Sequence, residues 1–229
     1  MIHPQPVLET SRLLLRELTL DDVDGLLEIF GDPEAMWAYP STKDRAETER
    51  WIERSIRSYR VNGWGLWAVI RRDDGRFLGD CGMLLQPVDG AEVAELGYHI
   101  VRSEWRRGYA TEAALACRDW YFANPANDRL VSIIWPPNTA SRRVAERVHA
   151  RMRLFVWEKT GTEECLYETL RSDLTAARPE AFQRRCRGGT KVKEFTQSRA
   201  SKPLDSGAFG PKVDIAAMQP RLPQRQGHG

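Results

Sequence analysis

Tyr98-His99-Ile100-Val101-Arg102-Ser103-Glu104-Trp105-Arg106-Arg107-Gly108-Tyr109-Ala110-Thr111-Glu112-Ala113 is the stretch that decides the fold. An apolar segment ends in a short basic loop, and a helix opens from that loop through small residues. The first turn of a helix carries backbone N–H groups without intrahelical partners and is the positive end of the helix dipole. Gly108 lets a ligand approach the backbone closely. Ala110 and Thr111 keep the first turn narrow, and Arg106 and Arg107 add positive charge. Together they describe a seat for a pyrophosphate. It is not a Walker loop, because no Gly-Lys-Ser/Thr follows, and GxGxxG is absent. Taken singly, the arginines also fit a solvated turn and Gly108 a helix start without a ligand. The ordered coincidence of strand, basic turn, Gly-x-Ala-Thr and helix favours the ligand.

Working outward, Glu9–Leu18 (ETSRLLLREL) is expected to form a short strand, and Thr19-Leu20-Asp21-Asp22 resembles a capping box with Asp at its third helical position. Helices are expected over Leu20–Phe30 and Lys43–Val61, each with apolar residues spaced by three and four. Strands follow at Trp64–Arg71, Phe77–Gln86 and Ala94–Val101, the first two joined by the turn Asp73-Asp74-Gly75. Then come a helix over Tyr109–Phe122, a strand over Arg129–Trp135 and a helix over Asn138–Val148. The strands Met152–Glu158 and Cys165–Leu170 close the pattern. The order β-α-α-β-β-β-α-β-α-β-β describes an α/β (α+β) domain, a mixed sheet covered by helices. Most of the eight tryptophans are expected in the core.

Composition sets the outer limits. The chain has 229 residues, 41% hydrophobic and 29% charged, with no apolar run of the roughly 18 residues a membrane helix needs. No basic segment leads into an apolar stretch at the start, so no secretory signal is visible and the cytoplasm is the expected location. Cys81, Cys117, Cys165 and Cys186 form no CxxC pair and no zinc spacing. They read as free thiols in a reducing compartment, with a disulfide left open, and no metal site is expected. Residues 171–229 carry 12 Lys+Arg against 5 Asp+Glu, while the body carries 22 against 27. The basic end is rich in Pro, Gly, Ser and Gln and shows no lasting hydrophobic period. Such a segment does not bury enough apolar surface to offset about 1–2 kcal/mol of backbone entropy per residue. The expected division is therefore a domain over 7–174 and a basic, disordered tail over 175–229, with a short helix possible near Val213–Met218. Nucleic acid is an unlikely partner except through that tail, whose aromatics Phe182, Phe195 and Phe209 do not interleave with its basic residues.

Four stretches resemble one family: LETSRLLLRELTLDD at the start, GLWAVIRRDDGRFLGDCGM in the middle, AELGYHIVRSEWRRGYATEA at the loop, and WPPNTASRRVAERV beyond it. Over about residues 7–172 the chain resembles the GCN5-related N-acetyltransferase (GNAT) superfamily, and within it the RimJ/RimL-type branch. Trp105 stands where the general motif has Gln or Arg, a departure that branch shares. The resemblance implies a mostly antiparallel sheet splayed between its fourth and fifth strands, Ala94–Val101 and Arg129–Trp135. It implies acetyl-CoA as co-substrate, with no metal. The pantetheine arm is then expected on the backbone near Ile100 and Val101. The pyrophosphate is expected on Arg106, Arg107, Gly108, Tyr109, Ala110 and Thr111.

The same resemblance gives Asn138 a contact with pantetheine and places Ser141 near the thiol, as a donor to the leaving sulfur. Arg142 is the candidate for the nucleotide phosphates. Asn138 also reads as a helix cap and Arg142 as a surface arginine. Direct attack needs a neutral amine; an α-amine titrates near pH 7.7–8.0 and asks only modest base assistance. Glu95 is the candidate base, because a carboxylate on a half-buried strand has its pKa raised. It also fits an ion-pair partner. His99 shares its strand parity and reads as a hydrogen-bonded strand histidine. Trp37 and Tyr39, in the loop between the first two helices, are the candidate acceptor contacts, with simple packing as the plainer reading. Where the family usually has Gly after the Asn138 helix, this chain has His149, and a left-handed cap without Gly costs about a kcal/mol.

The function expected is acetyl transfer from acetyl-CoA to a primary amine, a protein N-terminal α-amine or a small molecule, with a homodimer plausible by resemblance. The competing expectations are an inactive acyl-CoA-sensing module and a ribosome- or nucleic-acid-binding module.

Overall fold

The computed structural model describes residues 5–176. The expectations for the basic tail, its disorder and its short helix, lie outside the described residues, apart from the two that close the last helix. Among the described residues eight strands form one sheet, laid side by side in chain order except that the last strand sits between the sixth and the seventh.

The first expected strand is in fact two, β1 (Pro6–Glu9) and β2 (Leu13–Glu17), antiparallel about Thr10-Ser11-Arg12. Thr10 closes this turn: its N–H donates to the Leu13 carbonyl at 2.8 Å and its hydroxyl accepts the Leu13 N–H at 2.9 Å. A 3₁₀ turn over Leu20–Asp22 leads into α1 (Val23–Phe30), and the Asp22 carboxylate accepts the Thr19 N–H at 2.9 Å. Helix α2 (Arg45–Asn62) starts on a reciprocal Asp44–Glu47 capping box and stops at Gly63. β3 (Leu66–Arg71) precedes β4 (Phe77–Val88) and β5 (Ala91–Ile100). The last two run longer than expected, because Asp89 and Gly90, both at positive φ, make a two-residue hairpin turn. The remaining elements are α3 (Tyr109–Ala123), β6 (Arg129–Ile134), α4 (Thr139–Val148), β7 (Arg151–Trp157), β8 (Thr162–Leu170) and the unanticipated α5 (Arg171–Ala176).

One face of the sheet packs on α3 through Leu96, Ile100, Ala113 and Cys117; the other packs on α1 and α2 through Phe30, Trp51 and Ile52. Cys81, Cys117 and Cys165 are buried free thiols. Of the tryptophans, Trp51, Trp67 and Trp157 are buried, while Trp37 and Trp105 are exposed. Trp64 and Trp120 are half-buried and pack against the core, so five of the eight tryptophans lie in or on it, as expected. No helix among the described residues is long and apolar enough to cross a membrane.

All neighbouring strands are antiparallel except β5 and β6, and these pair only at Ala94↔Leu130 and Glu95↔Val131. Beyond that point the strands diverge, as the family resemblance implied. Side chains take over the bonds the ladder gives up. The Ser132 hydroxyl donates to the Leu96 carbonyl at 2.7 Å, and the Glu95 carboxylate accepts the Ile133 N–H at 3.3 Å. Buried backbone groups left without partners cost free energy, so these two bonds make the divergence tolerable.

His149 supports the first of them. Its φ is −101° and its ψ 157°, so the residue is extended and no left-handed strain arises, contrary to the sequence expectation. The imidazole is buried between the Ser132 hydroxyl (3.0 Å) and the Thr169 hydroxyl (3.1 Å). Ser132 spends its proton on Leu96 and accepts from Nε2–H, which leaves Nδ1 to accept from Thr169. Burial, aided by Arg118, lowers the His149 pKa to about 3. The unfolded chain binds a proton near pH 6.5 while the folded one does not, so stability is complete above that pH and falls on acidification toward 3. His149→Gln is expected to flatten the pH dependence of urea-unfolding stability between pH 4 and 6.5, where the wild-type slope gains up to about 1.4 kcal/mol per pH unit from this group. Identical slopes for the two proteins would refute the assignment.

Candidate active site

Two features meet where β5 leaves β6: the basic loop at its end and a cavity at its side. In an antiparallel pair the hydrogen bonds of successive residues alternate in direction. The Val101 N–H donates to Leu78 of β4 at 2.8 Å and its carbonyl accepts from Glu104 at 2.9 Å. Val101, named from the sequence as a backbone contact, thus has both polar groups engaged inside the chain. The alternation turns the N–H groups of Tyr98 and Ile100 into the gap instead. The Ile100 carbonyl on that edge accepts the Trp105 indole N–H at 2.6 Å. Gly79, at φ 145°, lets β4 run this close: a Cβ there would meet the His99 carbonyl oxygen at 1.9 Å.

The loop is held from beneath. Glu104, 4% exposed, lies 3.0 Å from Arg71, 3.0 Å from Arg76 and 3.2 Å from Arg107. Arg106 takes φ 63° and Gly108 φ 81°, so two left-handed residues turn the chain into α3. A Cβ on Gly108 would meet only the tip of the Arg12 side chain, at 3.5 Å, so the surface over the helix start is open. Tyr109 is buried as an anchor, while Ala110 and Thr111 are half-buried. Glu112 ties α3 to the β1–β2 turn, accepting from the Ser11 hydroxyl (3.2 Å), the Arg12 N–H (3.1 Å) and the Arg12 guanidinium (2.6 Å). Arg12 in turn donates to the Arg107 carbonyl at 2.9 Å. This explains the Thr-Ser-Arg of the opening motif, whose role the sequence did not disclose.

The cavity has a volume of about 120 Å³. Its floor is the face of the sheet that carries Glu95 and His99, its roof the loop between α1 and α2, and its lining includes Ser141 and Asn138. Glu95 opens into it. Burial pushes the Glu95 carboxyl up, against bonds from Gln86 and Ile133 that pull it down. His99 is not free to act as a base. Its Nδ1–H donates to the buried Asp80 carboxylate at 2.7 Å and its Nε2 accepts the Tyr39 hydroxyl at 2.7 Å. Asp80 also accepts the Trp51 indole N–H at 2.8 Å, so Tyr39 is fixed to α2 through His99 and Asp80. Trp37 is 50% exposed and leans on Trp135 with ring centroids 5.5 Å apart, over the divergent end of β6.

Asn138 caps α4, its side chain accepting the Ser141 N–H at 3.2 Å. The Tyr98 hydroxyl donates to the Ser141 carbonyl at 2.8 Å and so fixes the start of α4 across the gap. Arg142 points elsewhere than expected: it donates to the Pro136 carbonyl and to the Tyr167 hydroxyl, both at 3.1 Å. The structure thus brings Glu95, Ser141, Asn138 and Tyr39 to one cavity and leaves the basic loop at its neighbouring end. Sequence reasoning missed Asp80, Tyr98, Ser132 and Glu164. The legible signal was Asp80, a charged residue among the apolar and glycine positions of Phe77–Leu85; Glu164, on a strand that also holds Glu163 and Glu168, carries no such signal. Among the described residues no cluster of His, Cys, Asp and Glu has the makings of a metal site.

Comparison with known proteins agrees with this geometry. Residues 12–151 match the sequence profile of the acetyltransferase (GNAT) domain family. YkkB, an uncharacterized protein of Bacillus subtilis (strain 168), is 36% identical over 159 residues, covering 66% of this chain and 90% of its own. The crystal structure of an acetyltransferase from Agrobacterium tumefaciens str. C58 superposes with a TM-score of 0.61 at 27% identity, over 73% of this chain and 96% of that one. RimL, a ribosomal L7/L12 alpha-N-protein acetyltransferase solved with coenzyme A, shares the fold at a TM-score of 0.60 and 17% identity, over 72% of this chain and 98% of that one. The splayed sheet, the open helix start and the matched domain lead to one conclusion: this chain belongs to the GNAT family of acetyltransferases.

Proposed function

We propose that the chain transfers the acetyl group of acetyl-CoA to a primary amine by direct attack, with Glu95 as the base. The observation that carries this reading is the meeting, in one cleft, of a freed β5 edge, an open helix start and a buried carboxylate. The edge suits an amide-bearing arm, with the Tyr98 and Ile100 N–H groups as donors. The amides of residues 108–111, with Arg106 and Arg107 beside them, suit the diphosphate. Asn138 and Ser141 border the arm's inner end. Arg142 is a weaker candidate for the phosphates, since Pro136 and Tyr167 engage it.

The amine lone pair attacks the thioester carbonyl carbon, the amine proton passes to Glu95 directly or through a water, and the carbon–sulfur bond breaks. The departing sulfur takes a proton at the α4 start, where the Ser141 hydroxyl is the candidate donor. Its main effect is a hydrogen bond to developing negative charge, because an ordinary hydroxyl is a poor acid. No acyl-enzyme is needed, and Cys117 is buried in the core. Trp37 and Tyr39 face the acceptor. The exposed Met152, Leu154 and Val156 on the edge strand β7 support a homodimer.

Thiol release from acetyl-CoA in the presence of primary amines tests the reading. Because burial raises the Glu95 pKa, kcat/KM is expected to fall as pH drops through that raised value. Glu95→Gln keeps an acceptor for the Ile133 N–H and removes the base. It is expected to lower kcat about 100-fold, leave the KM for acetyl-CoA near wild type and abolish the acidic limb. Absence of thiol release with every primary amine would remove the transferase reading; a wild-type pH profile in Glu95→Gln would remove Glu95 as base.

A further inference from the structure

The cavity holds a second carboxylate that the transfer step does not use. Glu164 of β8 is 2% exposed and shares the lining with Glu95. Strand alternation puts it on the same sheet face, beside Leu166 and Ile133. Its carboxylate accepts the Thr162 hydroxyl at 2.9 Å and pairs with no cation among the described residues. Burial pushes the Glu164 carboxyl up. An ionised carboxylate in such a place is costly unless a cation meets it.

The walls around it are suited to that cation. Trp51, Trp135, Trp157 and Tyr39 line the same space, and aromatic faces attract ammonium groups. The chain supplies its own example at the rim. The Lys159 ammonium lies 5.1 Å from the Trp157 ring centroid and donates to the Gln86 side chain at 3.2 Å. Lys159 interacts electrostatically with Glu95 and so balances one carboxylate of the two. A volume of about 120 Å³, the space of about four waters at roughly 30 Å³ each, suits two amines joined by a short aliphatic chain.

We propose that the acceptor is a small diamine: Glu95 receives the reacting amine, and Glu164 seats a second, cationic nitrogen that keeps its proton. The inference rests on the transferase reading and specifies its acceptor. It divides the labour between two buried carboxylates, one that takes a proton and one that holds a charge.

The test compares 1,4-diaminobutane, 1-aminobutane and a short peptide with a free N-terminus, at fixed acetyl-CoA, by thiol release. The diamine is expected to have a kcat/KM at least about 10-fold above the monoamine and the peptide. Glu164→Gln, which keeps the bond to Thr162, is expected to lower the diamine-to-monoamine ratio by about 10-fold or more. Equal loss on both amines, or no preference for the diamine in the wild type, would overturn the proposal and leave the transferase reading standing. Calorimetric titration of both proteins with 1,4-diaminobutane reads the site without turnover. Binding that Glu164→Gln weakens supports the proposal even if no acetyl moves, and undetectable or unchanged binding counts against it.

Discussion

Everything in this site depends on one interrupted ladder. Among the described strands β5 and β6 are the one parallel pair of neighbours, and they share two paired positions before separating. An open strand edge inside a folded domain is normally a liability, because its N–H and C=O groups need partners. Here each strand lends a side chain across the opening. Ser132 of β6 satisfies Leu96 of β5, and Glu95 of β5 satisfies Ile133 of β6. The gap is thereby stabilised as a gap. A neutral histidine behind Ser132 extends the support to β8, through Thr169.

The arrangement links stability to chemistry at Glu95. The same carboxylate caps the freed edge and faces the cavity, so its burial is a structural consequence of the splay. Burial in turn raises its pKa, which suits a proton acceptor working near neutrality. The basic loop ahead of α3 is fixed by different means. Glu104 gathers three arginines under it, and Glu112 binds the following helix to the β1–β2 turn. The loop's own positive groups remain exposed above this buried anchor.

Much of this was legible in the sequence. The helix start at Gly108 and the small first turn announce themselves through residue type and order, and the family resemblance supplies the splay. Glu95 and His99 were placed on one face by strand parity alone. Other features were hidden for physical reasons. The Thr10 turn is hidden inside the expected strand Glu9–Leu18, because a turn closed by a threonine hydroxyl carries no Gly or Pro. The Asp89-Gly90 hairpin was readable as a turn pair, yet the flanking Pro87 and the polar Glu92 obscured the strands. His149 was judged by the residue it replaces, when its backbone is extended and its ring is a network member. Asp80 and Ser132 act through partners far along the chain, and no local pattern reveals those pairings; Glu164 bonds Thr162 close by, but the pairing of β8 with β6 is what carries it to the cavity.

Residue-resolved hydrogen exchange with and without acetyl-CoA tests the central claim most directly. If the freed β5 edge and the start of α3 form the cleft, the ligand should slow exchange at the Tyr98 and Ile100 amides and across residues 108–111. The Val101 amide, already bonded to Leu78, should change little. Unaltered exchange at Tyr98 and Ile100, with protection appearing on another surface, would contradict the account.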